Sequence, residues 1–220
     1  MPHYLPSTHS FCECGGAMLV LDMRQDRYFQ LGRPASEALR AFVSGSSAPQ
    51  DGIAALCRLG VISDDRAAGG SIAPTAIDVP VRSVIEETTI RSGRRWTHYP
   101  EISGRLIQAR AALRLKGFAR TLDTIRVAKA QALRRADLVD EVRDLAIAFD
   151  RGRRAVPLAT ACLPDSLALY GFLARRGIHS TLVIGVKTNP FAAHCWIQHE
   201  GLLLNEAVDH AAAFTPIRVL

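Results

Sequence analysis

The chain has 220 residues, 48% of them hydrophobic and 22% charged, with a formal net charge of +6. That balance excludes a disordered chain, and no apolar run approaches the roughly 20 residues of a membrane span. The length allows two domains, each burying its own core, and a start with neither a basic segment nor an apolar run excludes a secretory signal, so the expected compartment is the cytoplasm. Five cysteines, at 12, 14, 57, 162 and 195, follow no regular framework, and a reducing compartment keeps them as thiols.

From the N-terminus, residues 9–14 read as a strand, Gly15 and Gly16 as a turn, and "AMLVLDM" with "YFQLG" as a hairpin across "RQDR". Pro34 starts a helix that ends before Gly45, with Leu39, Phe42 and Val43 on one side. A second helix, "GIAALCRLG", repeats Ile53, Leu56 and Cys57 at helical spacing and closes at Gly60. The order is a small sheet followed by two helices. Residues 65–80, rich in Gly, Ala and Pro, read as a linker. This divides the chain into domains 1–80 and 81–220.

Residues 84–148 read as helical segments broken near "HYPEISG" and "LKGF", with Leu138, Val142, Leu145, Ile147 and Phe149 as a packing face. The basic residues concentrated between Arg105 and Arg154 alternate with acids, the pattern of solvated helix faces; an acidic peptide or nucleic-acid partner is the sharper alternative. A helix over 163–176 follows, capped by Gly177, and then three strands, "HSTLVIGV", "FAAHCWIQ" and "LLLNEAV". A helix feeding an antiparallel sheet indicates an α+β fold.

Three residues of this C-terminal part carry chemistry. Cys162 falls at the mouth of its helix, because Pro164 is tolerated only in a first turn, and the first-turn amides favour a thiolate there and can also hold an oxyanion. His194 lies in the second strand, where alternation puts Cys195 on the opposite face and leaves Cys162 as the expected thiol partner. The hairpin after it has two registers. A two-residue loop needs Glu200 at positive φ, which disfavours it; a three-residue loop, 199–201, pairs Gln198 with Leu202 and sets His194 directly opposite Glu206. A carboxylate there fixes the imidazole tautomer and stabilises its charged form, which makes a cysteine-based acyl-transfer triad. "FCECGG", with His3 and His9 nearby, is a Cys-x-Cys without a second pair, which is weak evidence for zinc, so no metal is expected.

Over about 158–220 the segments "ACLPDSLALYGFLARRGIHSTLVIGV" and "PFAAHCWIQHEGLLLNE" resemble the lasso-peptide maturation B proteins, leader peptidases of the transglutaminase-like, papain-related superfamily. The resemblance puts Cys162 in the nucleophile position and His194 in that of the base. It implies a papain-like or transglutaminase-like domain of helices packed on an antiparallel sheet, and no cofactor. That family usually has Asp after the Asn of the last strand. Glu206 stands there in this chain, so either the gap takes the longer acid or the role passes to Asp209; Glu206 is preferred. "GAMLVLDMRQDRYFQLG" and its two helices resemble a RiPP recognition element, a winged-helix-like domain that binds leader peptides, with Leu19, Leu21, Tyr28, Phe29 and Leu56 as the implied peptide contacts. The implied partners are the leader of a lasso-peptide precursor and an asparagine-synthetase-like lasso cyclase.

Two other classes compete. A transglutaminase-type acyltransferase would use the same three residues with an amine in place of water. A non-catalytic peptide- or DNA-binding regulator would use the N-terminal domain, but its second helix carries only Arg58, too few cations to track phosphates.

Overall fold

The computed structural model describes residues 3–66, 69–70, 72–87, 98–131 and 139–220. The chain forms two compact units. One comprises residues 1–76 together with Val186–Phe191 and Thr215–Arg218; the other comprises Ile77–Gly185, Ala192–Phe214 and Val219–Leu220. Among the described residues, no helix is long and apolar enough to cross a membrane.

In the first unit a two-residue strand, β1 (Leu5–Pro6), precedes β2 (His9–Cys14), β3 (Ala17–Asp22) and β4 (Arg27–Gln30), which form an antiparallel meander in that order. Gly15 and Gly16 join β2 to β3 at φ 57° and 78°, the left-handed pair that suits a two-residue hairpin. At the next turn, Asp22 Oδ1 accepts the backbone N–H groups of Arg24 and Gln25 at 2.9 and 3.1 Å. Helices α1 (Arg33–Ser44) and α2 (Gln50–Arg58) follow, with Pro34 in the first turn of α1 and Gly45 left-handed at its end. The two helices approach closely at Gly52, where a Cβ would lie 2.4 Å from the Pro34 carbonyl oxygen. Phe11, Met18, Val20, Leu39 and Leu56 form the heart of this core, and Phe29 packs against it.

Neighbours on β4 face opposite ways. Phe29 joins the core, whereas Tyr28, paired with Leu21, meets Phe191 at 5.6 Å between ring centroids. Leu19, Leu21 and Leu56 are buried, so three of the five implied peptide contacts lie inside the unit and offer a peptide no surface. The region 65–80 contributes β5 (Gly69–Gly70), which pairs with β1.

The second unit begins with β6 (Arg82–Ser83). Helix α3 (Tyr99–Lys116) then begins within "HYPEISG", with Pro100 in its first turn; residues 84–87, expected to be helical, form a turn and a bend, and 88–97 lie outside the described residues. Gly117 does separate α3 from α4 (Phe118–Gln131). Helix α5 (Val139–Ala155) buries Val142, Ala146, Phe149 and Arg153, while Leu145 and Ile147 are only half-buried and Leu138 lies outside the described residues. Helix α6 (Cys162–Ala174) is buried from Ser166 to Tyr170 and again at Phe172 and Leu173, as befits a helix apolar on nearly every side.

Strands β7 (Thr181–Lys187), β8 (Ala192–His199) and β9 (Leu202–Leu203), helix α7 (Val208–Ala212) and strand β10 (Thr215–Val219) complete the chain. The sheet order is β10-β7-β8-β9-β6. The expected all-antiparallel sheet is corrected here, because β6 pairs with β9 in parallel and makes the sheet mixed. With helices on such a sheet, the fold is α+β. Val183, Trp196, Leu203, Ala211 and Phe214 form a core on one face, tight enough that a Cβ at Gly185 would meet both Phe214 and Trp196 within 2.8 Å.

Candidate active site

Ala161, extended at φ −150° and ψ 127°, caps α6 so that Cys162 is its first helical residue. The Asp165 carboxylate reaches back to the Ala161 N–H at 3.2 Å. It also pairs with Arg153 Nε at 2.9 Å and with the Arg110 guanidinium at 3.2 Å. Arg153, only 7% exposed, donates further to the Leu158 and Ala159 carbonyls, and Arg110 donates to Ala159 as well. Two cations therefore balance this acid in the first turn of α6 and clamp the segment that leads into the helix. Both arginines belong to the run read as solvated faces; the signal for Arg153 was its place one turn beyond Phe149 on the packing face of α5.

The register of the β8–β9 hairpin differs from the expected one. Gln198 pairs with Leu203 and His199 with Leu202, so the loop is the two-residue Glu200–Gly201, with φ of 44° and 77°. Tighter coupling to the sheet's right-handed twist favours this loop, and it places Leu203 in the core beside Trp196. A regular ladder in this register would set Ala207, not Glu206, opposite His194. The ladder stops short of that point. Leu204 N–H still donates to the Ile197 carbonyl at 2.9 Å, but the Ile197 N–H is taken by Asn205 Oδ1 at 2.7 Å. From there the chain leaves the strand, and the Ser83 hydroxyl donates to the Glu206 carbonyl at 2.6 Å. Glu206 is thereby turned back so that its Oε2 accepts a hydrogen bond from His194 Nε2. Asp209 sits exposed in the first turn of α7.

Cys195 makes a contact that face alternation alone does not suggest. The Ser166 hydroxyl, one turn along from Cys162, donates to the Cys195 carbonyl at 3.2 Å, and Asn205 Nδ2 donates to Ser166 at 2.9 Å. These bonds hold the start of α6 against β8, so Cys195, although on the other face of the strand from His194, meets the same sulfur. The Cys195 thiol, then the His194 ring and the Cys195 N–H, hydrogen-bond Cys162 and draw its thiol down to about 4 against the effect of burial. Cys195 is itself pushed well above the ordinary thiol range by that same bond and by burial, so it stays protonated and donates. Burial works against a charged His194, yet its bonds to Cys162 and Glu206 raise it to about 9. Glu206 is held at about 2, despite burial, by hydrogen bonds from His194, the Ala207 N–H and His210. The resting arrangement is a thiolate–imidazolium pair with a carboxylate behind it.

His194, Glu206 and His210 are the one set among the described residues with metal-ligand chemistry, their donor atoms within 4.8 Å of one another. Those atoms already face each other as donors and an acceptor: His210 Nδ1 lies 3.1 Å from Glu206 Oε1. Cys12 and Cys14 are buried in β2, and burial, followed by the neighbouring Cys14, pushes Cys12 up to about 12. A groove between α3, α4 and α6, lined by Arg105, Lys116, Tyr170 and Arg175 among others, includes none of the residues around Cys162.

A sequence model of the transglutaminase-like superfamily matches residues 105–219, more than half of the chain. Over 46 residues the chain is 46% identical to the microcin J25-processing protein McjB of Escherichia coli, a stretch that covers 21% of this chain and 22% of that protein. No solved structure matches at a significant level. The matched region runs from α3 into β10 and contains Cys162, His194 and Glu206, and on that extent the chain belongs to the transglutaminase-like superfamily.

Proposed function

We propose that this chain is a cysteine endopeptidase that binds the leader of a lasso-peptide precursor and cleaves it off, so that an asparagine-synthetase-like cyclase can close the macrolactam on the freed core peptide. The observation that carries this reading is the thiol of Cys162, drawn down to about 4 at a helix start with His194 and Glu206 in line behind it. The stretch of similarity to a microcin-processing protein supports the substrate class.

In this mechanism the Cys162 thiolate attacks the scissile carbonyl and forms a C–S bond. The carbonyl oxygen becomes an oxyanion that the Cys162 N–H, unpaired within the first turn of its helix, can stabilise. His194, with Nε2 engaged by Glu206, uses Nδ1 to hand its proton to the leaving amine as the C–N bond breaks. Neutral His194 then takes a proton from water, whose oxygen attacks the thioester, and the acid product leaves with Cys162 again a thiolate. Glu206 remains ionised throughout and stabilises the imidazolium at each end of the cycle.

Leader recognition falls to the first unit, read as a winged-helix-like recognition domain. Its β4 is the edge of a three-stranded sheet, where an extended peptide can add as a further strand beside Tyr28 and Phe29. The reduced cysteines suit a cytoplasmic reaction.

The test is to incubate the full chain with a lasso-peptide precursor from the same genome, with and without the cyclase and ATP, and to weigh the products. Two fragments whose masses sum to precursor plus one water, lost in Cys162→Ala while precursor binding persists, support the reading. A product carrying an amine in place of that water would make the chain an acyltransferase. An intact precursor under every condition, with a folded protein, would overturn the peptidase reading.

A further inference from the structure

A glutamate has one more side-chain torsion than an aspartate, so fixing its backbone does not aim its carboxylate. The backbone of Glu206 is held: its carbonyl accepts from Ser83, and the neighbouring Asn205 is tied to both Ile197 and Ser166. What remains is the orientation of the carboxyl plane, and there the two oxygens divide their partners. Oε2 faces His194 Nε2, while Oε1 accepts the Ala207 N–H at 2.9 Å and lies 3.1 Å from His210 Nδ1.

His210 stands four residues on, in α7, at the helical spacing that brings its ring back over Glu206. It is held from two sides. Its ring meets that of His194 edge-on at 4.7 Å between centroids and that of Phe214 at 5.4 Å, and Phe214 also lies 5.3 Å from His194. The helix beneath is anchored by fully buried Ala211 and by the Glu86 carboxylate, which accepts the Val208 N–H at 3.3 Å. The result is one carboxylate between two imidazoles, only one of which touches the sulfur.

We propose that His210 is a positioning residue for the acid: its Nδ1–H donates to Glu206 Oε1 and keeps Oε2 on His194 Nε2, which in turn keeps His194 Nδ1 aimed at Cys162. This rests on the reading of Cys162 and His194 as the reacting pair. The Ala207 N–H alone leaves the carboxylate free to swing about that single bond; with His210 as a second donor on the same oxygen, the carboxyl plane has two fixed points. A ring that served only to pack against His194 and Phe214 would not need a nitrogen facing the carboxylate.

Three full-length variants separate these roles. His210→Ala removes ring and donor, His210→Phe keeps the ring without the donor, and His210→Asn keeps an N–H near the place of Nδ1. With the precursor as substrate, Ala and Phe lower kcat about tenfold, the scale of one lost hydrogen bond to a charged group, with KM within about twofold. Asn recovers most of the loss. In a Glu206→Gln background, His210→Ala lowers kcat no further, because the group it acts through is already disabled. The alkylation rate of Cys162 by iodoacetamide, which needs no peptide substrate, falls in the same order, and circular dichroism verifies folding of each variant.

If the wild-type chain alkylates in a His210-dependent way yet leaves the precursor intact, the peptidase reading fails and the positioning role stands. If His210→Phe matches wild type in both assays, or if the His210→Ala loss persists undiminished in Glu206→Gln, the proposal is overturned.

Discussion

Cys162 and Glu206 both hydrogen-bond the ring of His194, yet the chain holds them by different means. The thiol end is set by secondary structure: an extended residue, a helix start, and a buried arginine that clamps the segment leading in. The acid end has almost none. Glu206 follows a two-residue strand, and its place depends on the side chains of Asn205, Ser83 and His210. Where backbone geometry fixes a residue, many sequences keep it in place. Where side chains substitute for a ladder, each is a separate point of failure.

The sharpest way to break this comparison is at the acid itself. Glu206→Gln keeps the shape but loses the charge behind the imidazolium, and single-turnover cleavage should slow by about 10²–10⁴-fold. Asp209→Asn should remain within about twofold, since Asp209 is exposed in α7. The opposite pattern would mean that the acid has been misassigned.

A smaller effect is expected on the thiol side, where Cys195→Ala removes one donor and leaves the helix start intact. The pair is charged between the thiol's value of about 4 and the imidazole's of about 9: below the first the sulfur is protonated, above the second His194 loses its proton. Without the Cys195 donor the thiolate is less stabilised, so the acid limb of Cys162 alkylation should move up by about one pH unit, while the limb near 9 stays. An unmoved acid limb would show that the second thiol contributes nothing to the first.

The smallest effect lies in the turn that sets the register. Glu200 holds φ at 44°, and Glu200→Asn, a residue more at ease there and forming Asn-Gly with Gly201, should add about 0.5–1 kcal/mol of stability with cleavage unchanged. Denaturant melts of the two proteins measure it; a loss of stability would place the strain elsewhere.

The same contrast explains what could be read in advance. Gly15–Gly16, Pro34, Gly45 and Pro164 mark turns and helix ends by covalent geometry, and each mark falls where the corresponding element begins or ends. Face alternation brought His194 and Glu206 to attention, but through a register that the hairpin does not adopt. That register erred because a glutamate's reluctance at positive φ, about 1 kcal/mol, is outweighed by burial of Leu203 beside Trp196, and burial depends on the sheet as a whole. Asn205 replacing a backbone acceptor, Cys195 meeting the sulfur from the opposite face, and Arg153 buried within a basic run are contacts between distant segments, which no local pattern records.

The first unit is not continuous in the chain. Val186–Phe191 and Thr215–Arg218 belong to it, as the bond from Cys14 Sγ to the Val186 carbonyl and that from the Thr75 hydroxyl to the Ile217 carbonyl attest. During synthesis, therefore, the sheet and helices of residues 1–76 emerge long before the two segments that join their unit. Their core, built around Phe11, Val20, Leu39 and Leu56, draws on neither later segment, so it can close first and receive Val186–Phe191 and Thr215–Arg218 as late additions to a finished sheet and helix pair.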